Sequence, residues 1–225
     1  MPIAAPSANK FGHVSPTKAE HVYNDFYLDS EVTILDGGQC NFGIESTVLK
    51  IVESSEKFFD LCILRKGGVS EKALLETLSH LDSGIKVNLT AKMHKEFKPE
   101  TENLEGPGQF LRHYSPNIES FLLNDILAID QTKVDRAVLI DFGGIMSSSR
   151  DKVKHYIDMS AAGSFLEAIN NLYDVLRLAE TREDADIVLI TNILELCNLE
   201  NGEGREHFDA LYDRIYRATS GRKAE

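Results

Sequence analysis

The chain has 225 residues, enough for one large domain or two small ones, each with a buried core. Hydrophobic residues make up 42% and charged residues 27%, a globular composition that excludes disorder of the whole chain. The formal net charge of −12 argues against a protein that holds nucleic acid by blanket phosphate neutralisation.

The acidity is uneven. Residues 1–118 carry 12 Lys/Arg against 16 Asp/Glu, and residues 119–225 carry 12 against 20, so an anionic ligand meets less repulsion in the first half. Cys40, Cys62 and Cys197 are too few and too scattered for a disulfide framework or a closed zinc site. Free thiols, no apolar run of ~20 residues and no charged region followed by an apolar run in positions 2–9 lead to one expectation: a cytoplasmic protein with no membrane partner.

In chain order, Met1 opens into small residues and the turn-rich Ser7-Ala8-Asn9, which reads like the inside of a fold. Ser15-Pro16-Thr17 precedes a helical pattern reaching Asp25, with Thr17 as N-cap and Glu20 completing a capping box. Val32–Leu35 reads as a short strand, Asp36-Gly37-Gly38 as a turn, and Ile44–Val52 as a second strand. Leu61–Leu64 is a third apolar run, after which Ser70 caps a helix to about Leu81. From Thr90 to Asn117 the chain is polar, with Pro99, Gly106, Pro107, Gly108 and Pro116, and reads as a join between two units. Beyond it, Ala137–Ile140 and Ile187–Ile190 read as buried strands. A helix capped by Ser164 runs to about Ala179, and Glu206–Ala218 is a final helix. Alternation at these lengths predicts βαβ units and a small, mostly parallel sheet.

Four clusters could carry chemistry. In Pro6-Ser7-Ala8-Asn9 with Gly12 and Ser15-Pro16-Thr17, small hydroxyl residues near glycine let backbone N–H groups approach a phosphate; a turn and a helix cap explain the same residues. Asp36 to Val48 holds three glycines with Ser46 and Thr47 at a strand mouth, a ligand-admitting loop or a plain hairpin. Leu64-Arg65-Lys66-Gly67-Gly68 sets two cations beside two glycines, facing phosphate oxygens or solvent. Arg112-His113-Tyr114, between Pro107 and Pro116, could close over a site as a lid or serve as a tether. The histidines have no metal-site spacing, and neither a Gly-x-Ser-x-Gly elbow nor a Walker loop is present.

The order of these motifs resembles the Sua5/YrdC family: Pro-Ser-Ala-Asn, Ser-Pro-Thr, Asp-Gly-Gly-x-Cys-x-x-Gly-x-Glu-Ser-Thr-Val, Leu-Arg-x-Gly-Gly, then Pro-Gly-x-x-x-x-His-Tyr-x-Pro. The runs Asn171–Arg177 and Asp213–Ala218 look like that family's C-terminal domain. The resemblance implies threonylcarbamoyl-AMP synthesis for the threonylcarbamoyladenosine modification of tRNA. Threonine and bicarbonate form a carbamate, which attacks the α-phosphorus of ATP and releases pyrophosphate, with Mg²⁺ accompanying. It implies L-threonine contacts at Ala5 and Ser46, and ATP contacts at Ser7, Ser15, Arg65 and Tyr114. Asn9, Thr47, Arg112 and His113 are adjacent candidates, and no catalytic side chain is assigned.

The implied fold is α/β, a partial YrdC-like twisted mixed sheet followed by a small Rossmann-like domain. The implied layout is 1–88 for the rear of the catalytic domain, 89–118 for linker and lid, and 119–225 for the C-terminal domain. The chain departs from the family where a basic Lys-x-Arg element would precede Pro-Ser-Ala-Asn, where Lys66 replaces a usual proline, and at Gln109-Phe110. The expectation is a chain lacking the N-terminal part of its catalytic domain. It would be inactive unless a separate N-terminal fragment completes it, and would feed downstream tRNA-modification machinery. The alternatives are a non-catalytic nucleotide- or tRNA-binding module and an inactive remnant.

Overall fold

The computed structural model describes residues 5–80, 85–91, 112–198 and 202–225. After α1 (Ala19–Phe26), strands β1 (Val48–Ser55) and β2 (Phe58–Arg65) form an antiparallel hairpin. Helix α2 (Glu71–Ser79) begins where the Ser70 hydroxyl accepts the Ala73 N–H at 3.2 Å, the cap expected from sequence. It carries the chain across to β3 (Lys86–Ala91), which pairs parallel with β2 and completes a three-stranded sheet in the order β1-β2-β3. Strand β1 lies at the edge with Ile51 63% and Val52 46% exposed, so that end of the sheet buries little apolar surface.

The second sheet is all parallel. Strands β4 (Glu119–Leu123), β5 (Ala137–Asp141), β6 (His155–Asp158) and β7 (Ile187–Thr191) lie in the order β4-β7-β5-β6. The short α3 (Gln131–Val134) precedes β5, and α4 (Phe165–Glu180) returns the chain from β6 to β7. Helix α5 (Phe208–Ala218) ends the fold. Every residue of β5 and β7 is buried, because both faces of a parallel sheet are covered. Val138, Ile140, Val188 and Ile190 face a core shared with α4 and α5; Ala137, Leu139, Ile187 and Leu189 face a second core with Val134 and Ile126. This alternation is the period-2 pleat read from the sequence.

The α4–α5 core does not stop at the second sheet. Val14, Ile44 and Tyr114, from loops far apart in sequence, belong to the same buried cluster as Ile169, Leu172 and Ile215. Gly43 explains how close the loop comes: a Cβ there would stand 2.4 Å from the Ile169 carbonyl oxygen on α4, and the Gly43 N–H donates to the Asn170 side chain at 3.0 Å.

Several expectations change. Val32–Leu35 is not a strand; it is largely exposed and has no pairing neighbour among the described residues to take its backbone groups. Thr17 is not the cap of α1. Lys18 holds the N-cap position without a side-chain cap, and the Thr17 N–H, one residue before it, donates to His21 Nδ1 at 3.1 Å. Glu20 pairs with Lys18 at 3.6 Å rather than closing a box. The last helix starts at Phe208 after a 3₁₀ turn at Arg205–His207. Strands β3, β4 and β6 were not foreseen. Most of the expected linker, including Gly106, Pro107, Gly108, Gln109 and Phe110, lies outside the described residues, as does Leu81.

Candidate functional site

Strand β2 ends at Arg65, and the turn after it lies against residues 45 and 46. A Cβ on Gly67 would fall 2.3 Å from the Glu45 carbonyl oxygen, so only glycine lets the two backbones touch. The Gly68 N–H donates to that same oxygen at 3.1 Å. This contact aims Arg65 back along the loop: Nε and Nη2 donate to the Ser46 carbonyl at 3.1 and 3.0 Å, and Nη2 reaches the Ser46 hydroxyl at 3.3 Å. Arg65 Nη1 makes a longer contact, 3.5 Å, to the Tyr114 hydroxyl.

Tyr114 is 1% exposed and holds a left-handed backbone, φ 58°, which is strained for a tyrosine. Its ring stacks on Tyr173 of α4 at 5.7 Å, meets the His113 ring at 4.1 Å, and faces the Arg214 guanidinium of α5 at 4.9 Å. Below this stack lies the Glu45 carboxylate. It accepts the Ser15 hydroxyl at 2.6 Å, the Tyr173 hydroxyl at 3.0 and 3.1 Å, and Arg214 Nε at 3.0 Å. Arg214 is fully buried and also donates to Asp213 at 2.6 Å, while Asp213 takes Arg217 Nε at 3.0 Å.

The charges in this cluster are set by their neighbours. Burial alone would raise the Glu45 carboxyl, but Arg214 and the Ser15 hydroxyl outweigh it and hold the group below the usual carboxylate range. Arg214 stays fully cationic: burial works against its charge, and the surrounding Tyr173, Glu45 and Asp213 more than restore it. Burial pushes the Tyr114 and Tyr173 phenols up, so both are hydrogen-bond donors at neutral pH. Burial pushes His113 down despite Glu45 nearby, leaving a neutral imidazole. The cluster can present hydroxyl and phenol donors, an arginine and a neutral imidazole, and holds no activated nucleophile.

The structure therefore brings together four of the six residues expected to bind ligand, Ser15, Ser46, Arg65 and Tyr114, with His113 beside them. Ala5 and Ser7 are exposed and stand outside this hydrogen-bonded network. Asn9 uses its amide on the backbone, donating to the Lys10 and His13 carbonyls at 3.0 Å each. Thr47 clamps the turn after β2, donating to the Val69 carbonyl at 2.6 Å and accepting its N–H at 3.1 Å. Arg112 is exposed along a cleft of about 320 Å³ shared with Asn117 and Arg222. Lys66, the departure from the family pattern, ion-pairs with Asp209 at the start of α5.

Sequence reasoning missed Glu45, Tyr173 and Arg214. A signal was present for Arg214: Leu211, Ile215 and Ala218 mark the apolar stripe of α5, and an arginine lies on it. A charge on such a stripe needs a buried partner.

Two other places offer less. In the second sheet the chain order reverses between β5 and β7, where open parallel sheets bind ligands beyond their strand ends. Here that crevice holds its own carboxylates. Asp158 accepts the N–H groups of Gly143 (3.2 Å), Gly144 (2.9 Å) and Ser160 (3.0 Å), and Asp141 accepts Thr191 Oγ1 (2.7 Å), Tyr156 OH (2.7 Å) and Met146 N–H (2.8 Å). A cleft of about 460 Å³ between α1 and α4 is lined by Lys10, His13, Asp25 and Arg177 among others, and holds none of the expected ligand-binding residues. Several of its groups pair with one another, as in Arg177 with Asp25 at 2.8 Å and His13 with Glu180 at 2.8 Å. No group of three His, Cys, Asp or Glu side chains able to hold a metal occurs among the described residues. No helix among them is long and apolar enough to cross a membrane.

Fold and site together define a two-sheet α/β protein in which loops of the first sheet and helices of the second share one buried ionic cluster. A family model described as "Threonylcarbamoyl-AMP synthase, C-terminal domain" matches residues 69–220, and one described as "Telomere recombination" matches residues 1–67. The chain belongs to the threonylcarbamoyl-AMP synthase (Sua5/YrdC) family. It is 30% identical to the threonylcarbamoyl-AMP synthase of Pyrococcus abyssi over 201 residues, covering 86% of this chain and 53% of that one. It is 31% identical to that of Schizosaccharomyces pombe over 216 residues, covering 86% and 48%. Against that of Bacillus subtilis, identity is 36% over 119 residues, covering 52% and 29%. The chain thus spans about half the length of the first two. The crystal structure of Pyrococcus abyssi Sua5 complexed with L-threonine superposes with a TM-score of 0.63 at 24% identity, over 97% of this chain and 58% of that chain. A variant of the same archaeal protein with an adjacent histidine and tyrosine replaced by alanine gives 0.64 at 23%.

Proposed function

We propose that this chain supplies the part of a threonylcarbamoyl-AMP synthase that grips the nucleotide, in the layout 1–88, 89–118 and 119–225. In that reaction threonine and bicarbonate yield a carbamate with loss of water. The carbamate oxygen bonds to the α-phosphorus of ATP, the bond from that phosphorus to the bridging oxygen breaks, and pyrophosphate leaves. Such a transfer needs positioning and charge neutralisation rather than a protein nucleophile. The observation that carries the reading is the meeting of Ser15, Ser46, Arg65 and Tyr114 in one cluster, in a chain whose relatives are named for this activity.

In this reading Arg65 faces phosphate oxygens, the Ser7 hydroxyl donates to the nucleotide, and Ser15, its proton held by Glu45, and the Tyr114 hydroxyl line the same wall of the site. Ala5 and Ser46 contact L-threonine, a ligand named for the archaeal neighbour. Asn9, Thr47, Arg112 and His113 stand around them. The described residues do not fit a protein-held Mg²⁺, because both carboxylates of the cluster are already engaged, Glu45 by Arg214, Ser15 and Tyr173, and Asp213 by Arg214 and Arg217. A magnesium ion would arrive as the counter-ion of ATP and belong to the substrate.

The test is pyrophosphate release by the purified chain with ATP, L-threonine, bicarbonate and Mg²⁺, alone and with an N-terminal fragment from a full-length relative, followed by calorimetric titration of ATP. Turnover in either mixture supports the synthase reading. ATP binding without turnover in both supports a binding module, and neither binding nor turnover overturns the proposal.

A further inference from the structure

The second sheet offers no crevice open to an anion, yet its helices reach the cluster described above. Arg214 is the point of contact. From α5 it donates to Glu45 at 3.0 Å and to Asp213 at 2.6 Å, and its guanidinium covers the Tyr114 ring at 4.9 Å, all with no exposure to solvent. Its remaining nitrogen, Nη2, has no hydrogen-bond acceptor among the described residues.

Two of the three partners of Arg214, Glu45 and Tyr114, tie it to the residues expected to touch ligand. Glu45 takes the Ser15 hydroxyl, and it directly precedes Ser46, whose carbonyl anchors Arg65. Tyr114 meets Arg65 on its hydroxyl side. An unpaired carboxylate at Glu45 would be costly, because a buried charge that loses its partner keeps its full desolvation penalty. The loop would have to open to bring Glu45 to water, and Ser15, Ser46 and Arg65 would move with it.

We propose that Arg214 is a positioning residue for the nucleotide-contacting side chains: from α5 it fixes the Glu45 carboxylate and the Tyr114 ring, and through them Ser15, Ser46 and Arg65. The role rests on the nucleotide reading above and gives the second unit a task in that reading, which is to brace the site from below. Arg214 itself has no surface open to solvent. Its neighbour Asp213 keeps Arg217 as a partner when Arg214 is replaced, which confines the expected damage to the Glu45 loop.

The experiment compares the chain with Arg214→Met and with the charge-neutral pair Arg214→Met/Glu45→Gln, reading urea midpoint, ATP affinity by calorimetry, and amide hydrogen exchange. The single variant is expected to lose stability through the stranded carboxylate. The pair is expected to recover most of that stability yet still bind ATP about tenfold more weakly or worse, a split that a purely packing role would not produce. In the pair, amides of residues 44–47 and 113–115 are expected to exchange faster by about tenfold with β5 and β7 nearly unchanged, whereas in the single variant β5 and β7 also speed up with the global loss of stability. Wild-type ATP affinity and unchanged exchange at those amides in the pair would overturn the proposal. If the parent chain binds no ATP, the nucleotide reading fails on its own, and the exchange pattern alone decides whether Arg214 positions the loop.

Discussion

Gly43 and Gly67 show what the glycines of the Asp36–Val48 loop and of Arg65-Lys66-Gly67-Gly68 are for. Their presence reads equally well as room for a ligand or as tight turning, and the structure gives a third answer, contact of backbone with backbone. A Cβ on Gly43 would meet the Ile169 carbonyl at 2.4 Å and Asn170 Cα at 2.7 Å; one on Gly67 would meet residues 45 and 46 at 2.3–2.6 Å. Gly43→Ala is expected to cost about 1–3 kcal/mol through overpacking against α4, measured as a lower urea midpoint. An unchanged midpoint would show that the loop can stand off the helix. Residue types were legible here and their partners were not, because Ile169 and Asn170 lie more than a hundred residues away in sequence. The same distance hid Glu45: its motif was visible, but nothing local shows that the acid pairs with α5 while the serine beside it holds Arg65.

At the scale of elements, legibility followed burial. Strands β5 and β7 open with four apolar residues each, Ala137–Ile140 and Ile187–Ile190, because both faces are covered, and the helix capped by Ser164 shows a clean apolar stripe. Strand β6, His155–Asp158, is partly exposed at every position and carries a charged residue, so it offers neither an apolar run nor an alternation. Val32–Leu35 is the converse: it has strand composition, but among the described residues no neighbour pairs with it. Ser164→Ala should remove the cap that accepts the Glu167 N–H at 3.2 Å and destabilise the fold by about 1 kcal/mol, measured by chemical denaturation. Strand β1 tests the opposite kind of position. Ile51 stands exposed on an edge strand, a template for unwanted pairing. Concentration-dependent assembly in sedimentation velocity should weaken in Ile51→Lys, with stability within about 0.5 kcal/mol of the parent. Equal assembly by both proteins would exclude this edge as the contact.

For the molecule as a whole, pH reports how its halves hold together. Burial keeps His21, His113 and His207 below the ordinary value of 6.5. The unfolded chain therefore takes up protons first as pH falls through 6.5, so stability is full above that value and declines below it toward the folded pKa values. Burial also pushes Glu45, Asp25 and Asp174 up, but Arg214, Arg177 and Lys18 outweigh it and hold all three low, which adds a second loss below about pH 4. The urea midpoint should be level near about pH 8, lower at about pH 5.5, and lower again in stronger acid. A midpoint that rises on acidification to about pH 5.5 would contradict the buried, neutral state of these histidines. Asp158 carries a different consequence. Tethered beside the Gly143–Gly144 amides, it is present at an effective concentration that dissolved phosphate at ordinary millimolar levels cannot match. The second sheet thus satisfies this nest of backbone N–H groups from its own chain, and Asp158→Gly would leave the Gly143, Gly144 and Ser160 amides without their shared acceptor.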